Sequence, residues 1–314
     1  MKKYPLLIDP PLTYRIWGGD KLNALFESGQ NIAEAYILSI VDGYESVVAN
    51  GSLTGKKLSA VFEDYPDWVG LSRQNRFPIC IKLFNTSDYT SVQVHPSDAY
   101  AISRLHSFGK GEIWYIIDAD ENSGVYVGLK EDTAKDEIKQ AVEDKTILDK
   151  LNYRSVKAGD IVEIKAGTIH TLTKGILALA IQENSKISYR LYDFDRPSDT
   201  DRPLNLDTAL EVTDTAESKD FLLKLPYRLE KDRFVIKQDF SPYFIFSEYE
   251  INNEKLINHN SLTWLMPLED KLVLEYLRND KLRQVELNKL NGVIIPKDLE
   301  CRVTGKSKII KIEL

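Results

Sequence analysis

Four short stretches of this 314-residue chain carry side chains that could bind a metal ion or move protons. The first is SVQVHP at residues 91–96. If it forms a β-strand, alternation places Ser91, Gln93 and His95 on one face. An imidazole beside an amide oxygen can begin a metal site. The alternative is a strand end whose polar side chains only face water.

Two further stretches present candidate groups where apolar strands begin. The segment GKGE, at residues 109–112, brings Lys110 and Glu112 to the start of the strand-like run EIWYII. A carboxylate is costly to bury there unless it is paired or coordinated, and a lysine can bind an anion. The segment GTIH presents His170 after a glycine turn. The alternatives are two solvated charges for the first segment and a structural histidine for the second.

The fourth stretch, NSKISYRLYDFDR at residues 184–196, sets Arg190 among aromatic residues that can hold it rigid. A fixed guanidinium beside a metal can bind phosphate or a developing oxyanion. The alternative is a salt bridge from Arg190 to Asp193 or Asp195. Considered together, the two histidines, the glutamate and the glutamine form a nitrogen and oxygen donor set that suits zinc or another divalent first-row metal.

The elements that would position these groups are mostly strands. Apolar, β-branched runs of strand length recur along the chain and favour an antiparallel sandwich or barrel. They cover residues 35–40, 79–84, 112–117, 161–164 and 177–181, and then 234–236, 243–246, 272–277, 292–296 and 309–312. Short helices are predicted at 58–65, 67–74, 97–102 and 133–144. The polar segment 193–220 is predicted to connect two blocks. We expect a catalytic domain over residues 1–234 and a C-terminal β-barrel domain over residues 235–314.

Composition excludes several classes of protein. With 41 basic and 48 acidic residues, the net charge of −7 is unfavourable for binding nucleic acid. No apolar run approaches the roughly 18 residues of a membrane span, and the short apolar run after MKK predicts no signal peptide. The 2 cysteines are far apart and form no CxxC motif, which favours the reducing cytoplasm.

In this order, and with YRIWGG at residues 14–19, the four stretches resemble the type I mannose-6-phosphate isomerases of the cupin superfamily, in their compact bacterial form. The motifs run from about residue 10 to 200, and the general pattern continues to the C-terminus. The resemblance implies an all-β double jelly-roll fold, or bicupin, with a few short helices. It also implies metal-dependent interconversion of mannose 6-phosphate and fructose 6-phosphate through an enediol, in a cytoplasmic monomer or weak homodimer.

The resemblance also implies roles for individual residues. Four would bind one zinc ion per chain, two would be catalytic and three would contact the substrate. The metal ligands are Gln93, His95, Glu112 and His170, the catalytic residues are Arg190 and Lys110, and the substrate contacts are Ser91, Lys110 and Trp17. Lys186 stands where some relatives have an acid, which leaves the catalytic base unassigned.

Two other functions fit part of this pattern. A non-catalytic bicupin that binds sugar phosphates would keep the pocket and lack isomerisation. The second is a different metal cupin enzyme, such as an oxygenase or an isomerase of another sugar. An iron oxygenase would use two histidines and one carboxylate with open positions. Lys110 can carry the proton only if burial or a metal lowers its pKa; if instead it binds phosphate, it stays charged.

Overall fold

The structure, a computed structural model, describes residues 1–70, 77–197, 203–219, 221–222, 233–236, 244–257 and 260–314. Strands dominate these residues and the helices are short. The strands are β1 (Leu6–Asp9), β2 (Leu12–Thr13), β3 (Glu34–Leu38), β4 (Val47–Val48), β5 (Ile79–Asn85), β6 (Val92–Val94), β7 (Glu112–Ala119), β8 (Gly124–Leu129), β9 (Leu151–Ser155), β10 (Ile161–Ile164), β11 (His170–Leu172), β12 (Ile176–Glu183), β13 (Tyr189–Tyr192), β14 (Arg233–Ile236), β15 (Ile245–Ile257), β16 (Thr263–Pro267), β17 (Leu272–Arg278), β18 (Lys281–Leu287), β19 (Val293–Ile295) and β20 (Cys301–Glu313). The helices are α1 (Leu58–Asp64), α2 (Pro66–Val69), α3 (Asp98–Leu105), α4 (Lys135–Glu143), α5 (Ile147–Lys150) and α6 (Leu206–Val212), with a 3₁₀ turn at Gly51–Leu53.

The chain forms two compact units. The first unit contains Met1–Pro11, Tyr36–Pro78 and Leu225–Leu314, and the second contains Leu12–Ala35 and Ile79–Lys224. The predicted division after residue 234 stays a prediction. The compact units differ from it because two N-terminal segments belong with the C-terminal block.

The second unit contains all of the predicted site residues and is built from two antiparallel sheets. One has the strand order β10-β7-β12-β5-β3-β2, and the other has the order β13-β6-β11-β8-β9. Apolar side chains from both sheets, including Trp114, Ala178, Val127 and Leu172, form one buried cluster. Two sheets facing each other across an apolar core is the architecture that the strand pattern predicted.

Helices cover the outer face of the sheet that carries β6. Val92 and Val94 pack in a cluster with Ile138 of α4 and Leu210 of α6. Because alternate strand residues point to opposite faces, Gln93 between the two valines points to the inner face. α6 lies within the segment that was predicted to be only a connection; two apolar residues, Ala209 and Leu210, bury there despite the polar composition around them.

The first unit is built around a nine-stranded sheet. Its longest strands, β15 and β20, pair in antiparallel register from Ile245↔Glu313 to Ile257↔Cys301. Within the described residues, we find no helix with both the length and the hydrophobicity to cross a membrane.

Candidate functional site

Three buried side chains from three strands meet between the two sheets of the second unit. His95 directly follows β6, Glu112 begins β7 and His170 begins β11. His95 Nδ1 lies 3.7 Å from Glu112 Oε1, and His170 Nε2 lies 3.5 Å from the same oxygen. One ligand atom from each residue lies within 4.8 Å of the others, so a single ion can contact all three. The structure therefore brings together three of the four predicted metal ligands.

Five buried polar atoms of this triad lack a hydrogen-bond partner among the described residues. Both ring nitrogens of His95, Nε2 of His170 and both carboxylate oxygens of Glu112 have no hydrogen-bond partner among the described residues. Buried polar atoms are normally paired, and leaving one unpaired costs about 1–3 kcal/mol. Such a concentration of unpaired lone pairs is the environment that a cation would satisfy.

The protonation of both histidines suits coordination. Burial lowers the pKa of His170 to about 4. Burial and the nearby charge of Lys110 hold the pKa of His95 well below its ordinary range. His170 Nδ1 lies 2.8 Å from the carbonyl oxygen of Thr168 and donates to it, which leaves Nε2 as the ligand atom. Both rings are neutral at pH 7, the form in which imidazole binds metals.

Gln93, the fourth predicted ligand, lies at the centre of β6 between two site strands. It is the cross-strand neighbour of His170 on one side and of Arg190 on the other. Directly paired residues of an antiparallel sheet point to the same face. The side chains of His170, Gln93 and Arg190 therefore line up on the inner face of the sheet.

Lys110 is buried two residues before Glu112 and is 4% exposed. Its Nζ donates to Ser188 Oγ at 3.3 Å. Burial lowers the pKa of Lys110 to about 8, although the charge of Glu112 opposes this shift.

A second buried lysine, which the sequence reasoning missed, lies on β5. Lys82 Nζ is 2.6 Å from Glu34 Oε1 on β3 and 4.3 Å from the centre of the Phe84 ring. Burial opposes the charge of Lys82, but the charges of Glu34 and Glu112 and the hydrogen bond to Glu34 outweigh it and raise its pKa. A lone lysine inside the apolar run ICIKLF and a glutamate inside AEAYIL were the available signals.

A pocket of about 470 Å³ in the same unit is lined by three arginines, Arg15, Arg190 and Arg196. Trp17, the predicted substrate contact, also lines it and is otherwise buried, at 3% exposed. Three guanidinium groups around one concave surface favour an anionic ligand. The remaining lining residues are Tyr14, Ile16, Gln30, Asn31, Asp193 and Pro197.

The carboxylate of Asp193, which lines this pocket, also contacts the buried Ser91 beside it. Arg190 Nη1 donates to Asp193 Oδ2 at 2.9 Å, and Ser91 Oγ donates to Asp193 Oδ1 at 2.8 Å. The alternative salt bridge from Arg190 to Asp193 is thus present, and Arg190 lines the pocket as well. Asp195 instead pairs with Lys145 at 2.6 Å.

The remaining candidates lie elsewhere. Lys186 is exposed. His106 is an exposed residue with left-handed backbone at the C-terminal end of α3. His259 lies outside the described residues.

Comparisons with known proteins identify relatives of this chain, although no family model matches it. The chain is 39% identical over 202 residues to the "Probable mannose-6-phosphate isomerase GmuF" of Bacillus subtilis, a match that covers 62% of this chain and 63% of that protein. It is 35% identical over 198 residues to the mannose-6-phosphate isomerase of Streptococcus mutans, with 62% of each chain covered. The matched region thus spans less than two thirds of these curated relatives.

The fold comparison covers the whole chain. The crystal structure of the mannose 6-phosphate isomerase from Bacillus subtilis superposes with a TM-score of 0.88 at 27% identity, over 100% of both chains. This confirms the predicted all-β fold with a few short helices and the resemblance to type I mannose-6-phosphate isomerases. The roles of the individual site residues and the identity of the metal stay predictions.

Proposed function

We propose that this chain, a relative of the mannose-6-phosphate isomerases in sequence and fold, interconverts mannose 6-phosphate and fructose 6-phosphate. The observation that carries the proposal is the buried triad of His95, Glu112 and His170, whose unpaired donor atoms converge. Strand register puts Arg190 of the arginine-lined pocket on the same sheet face as His170. An aldose–ketose isomerase needs a Lewis acid at the sugar oxygens and cationic groups for an anionic substrate, and this unit contains candidates for both.

The donor set supports zinc as the metal. Two imidazole nitrogens and one carboxylate oxygen suit both zinc and iron, and the amide oxygen of Gln93 on the same face is the fourth ligand that favours zinc in our proposal. When bound, the ion would supply Lewis-acid polarisation of the substrate oxygens at C1 and C2.

Charge balance in the buried cluster supports an anionic substrate. The charges of Lys82 and Lys110 are offset by those of Glu34 and Glu112, so these four groups sum to zero when both lysines are charged. A divalent cation then gives the cluster a net charge of about +2 in a water-poor environment. A sugar phosphate, or the negative charge that develops as a proton leaves C2, compensates such a site.

Within this proposal each residue of the chain has a task. Arg190, held by Asp193, stabilises the negative charge of the enediol oxygen, and Ser91 and Trp17 contact the bound sugar phosphate. Lys110, two residues before the proposed metal ligand Glu112, also contacts the substrate. Arg15 and Arg196 are additional candidates for the phosphate, since they line the same pocket.

We also propose a cytoplasmic location, because both cysteines are buried and free, as is usual in a reducing compartment. The expected monomer or weak homodimer stays a prediction.

The test is an isomerase assay on purified, zinc-loaded protein with mannose 6-phosphate. We expect fructose 6-phosphate to form, and Arg190→Ala to lose at least about a hundredfold in kcat with unchanged zinc content. Arg104→Ala is the matched control, because Arg104 is an exposed arginine whose partner is Glu211. Binding of mannose 6-phosphate without turnover would overturn the proposal and favour a sugar-phosphate-binding module.

A further inference from the structure

We propose that Asp193 is a positioning residue of the proposed active site, and that it sets the direction of the Arg190 guanidinium and the Ser91 hydroxyl. This inference rests on the proposed function for its catalytic readout. Asp193 follows β13 and lines the pocket, and the sequence pattern indicated it only as an alternative salt-bridge partner of Arg190.

The carboxylate of Asp193 binds three side chains that approach from different positions in the chain. Oδ2 accepts from Arg190 Nη1 at 2.9 Å, and Oδ1 accepts from Ser91 Oγ at 2.8 Å and from Arg196 Nη1 at 3.2 Å. The side chains of Arg190, Arg196 and Asp193 are 6%, 9% and 16% exposed, so solvent screens these contacts little. Charge-assisted hydrogen bonds of this kind are about twice as strong as neutral ones and have a defined direction.

The backbone after β13 is shaped to build this arrangement. Phe194 and Asp195 both have positive φ, of 54° and 55°, and Arg196 N donates to Asp193 O at 3.1 Å. Left-handed backbone at two successive residues is disfavoured for residues other than glycine, asparagine and aspartate. The tight turn brings Arg196 back to the carboxylate of Asp193.

Aromatic packing supports the turn. The Phe194 ring lies 5.1 Å from that of Tyr89 and 5.0 Å from that of Tyr192, centre to centre. The guanidinium carbon of Arg196 lies 5.2 Å from the centre of the Phe194 ring. Backbone strain held in place by surrounding contacts is characteristic of functional sites.

Register in the sheet explains why Asp193 can reach both predicted site residues. β13 pairs with β6 through Arg190↔Gln93 and then Tyr192↔Val92, with a shift in register between them. Such an irregularity redirects the strand, as β-bulges near active sites do. As a result Asp193 lies beside Ser91, the residue before β6, and its two oxygens are shared between Arg190 and Ser91.

Without the carboxylate, two poorly exposed guanidinium groups would face each other without a shared anion. Arg196 would keep its second partner, Asp88, at 2.9 Å. Arg190 would lose the Asp193 contact that fixes its direction. We therefore expect Asp193→Asn to act mainly through Arg190 and to lower kcat, because the task of Arg190 lies in the transition state.

The experiment compares wild type, Asp193→Asn, Asp193→Glu and the control Asp195→Asn, all zinc-loaded, in the mannose 6-phosphate assay. Asp195 belongs to the same turn, but its partner is the exposed Lys145. We expect Asp193→Asn to lose about 10- to 100-fold in kcat with zinc content and melting temperature close to those of Asp195→Asn. Asp193→Glu, which keeps the charge, should recover part of the loss.

A double-mutant cycle with Arg190→Lys separates positioning from a general structural role. If Asp193 acts through Arg190, the double variant should lose hardly more than Arg190→Lys alone. Fully additive losses, or a kcat of Asp193→Asn within twofold of wild type, would overturn the proposal. If Asp193→Asn does not fold, the double-mutant cycle with Arg190→Lys is measured with Asp193→Glu in its place, and the same outcomes apply.

The proposed function can fail separately. If wild-type protein binds mannose 6-phosphate but does not isomerise it, inorganic phosphate becomes the probe, and its affinity is measured by calorimetry. Asp193→Glu, which keeps the charge but moves the carboxylate, should then bind phosphate about tenfold more weakly than wild type. Equal affinities would overturn the positioning role whatever the reaction is.

Discussion

Replacing His95 by leucine is expected to stabilise the metal-free protein while it destroys the metal site. His95 is fully buried, and among the described residues neither ring nitrogen forms a hydrogen bond of normal geometry, although the backbone of Lys110 favours its protonated form. Leucine has a similar size and no polar atoms. Replacing a buried histidine that stabilises the fold would lower the free energy of unfolding. A metal ligand without its ion has buried polar atoms with no partner, so replacing it should raise the free energy of unfolding.

The magnitude follows from the two unpaired nitrogens of His95. Each unsatisfied buried polar group costs about 1–3 kcal/mol, and a change of shape at similar volume costs up to about 1.5 kcal/mol. The net gain for metal-free His95→Leu is therefore about 2 kcal/mol. For a unit of this size, that raises the melting temperature by about 4–8 °C.

The assay is calorimetric unfolding of chelator-treated wild type and His95→Leu, repeated after zinc is added. Zinc at a thousandfold excess over its dissociation constant should stabilise wild type by about 4 kcal/mol and leave His95→Leu unchanged. His106→Asn, at an exposed position with left-handed backbone, is the control and should respond to zinc as wild type does. If metal-free His95→Leu melts below metal-free wild type, or still binds zinc, our account of the triad is refuted.

Three further predictions concern groups around the triad. Glu34→Ala should destabilise the protein by about 3–5 kcal/mol in denaturant unfolding, because it leaves Lys82 buried without this partner. Glu34→Leu combined with Lys82→Met should recover most of this loss. A double variant that is as unstable as Glu34→Ala would contradict the prediction. The unfolding free energy of metal-free protein should decrease as pH falls from about 6.5 to 4, because the unfolded chain takes up a proton at His170 that the folded state, with its pKa of about 4, does not. His170 alone contributes up to about 1.4 kcal/mol per pH unit, and His95, whose pKa is also lowered, adds to the slope. His170→Ala should therefore reduce the slope, and an unchanged slope would show that His170 does not contribute to it. Gln93→Ala should weaken zinc binding at least about tenfold in competition titrations and keep the fold, whereas unchanged affinity would remove Gln93 from the ligand set.

The sequence indicated the candidate ligands by residue type and by their positions beside strands and turns. Glu112 begins a strand that composition predicted, His170 follows the glycine turn of GTIH, and His95 directly follows β6 in the stretch SVQVHP. Alternation also predicted that Gln93 points away from its valine neighbours, and the buried cluster beneath Val92 and Val94 agrees.

What the sequence could not predict depends on pairing between strands that are distant in the chain. The strand order places β12 between β5 and β7, and this long-range register sets Lys82 close to the charge of Glu112. Local pattern contains no information on such neighbours. For the same reason, Asp193 appeared from the sequence only as one of two alternative partners for Arg190, although in the structure Arg190, Arg196 and Ser91 all donate to its carboxylate.

The measurement that tests the central claim most directly is the conversion of mannose 6-phosphate by chelator-treated protein before and after zinc is returned. Our account predicts that fructose 6-phosphate formation disappears on chelation and returns with about one zinc per chain, since the chain offers one buried triad among its described residues. Undiminished isomerisation by protein shown to be free of metal would contradict a role of the triad in catalysis. No isomerisation by fully metal-loaded protein would contradict the proposed activity itself.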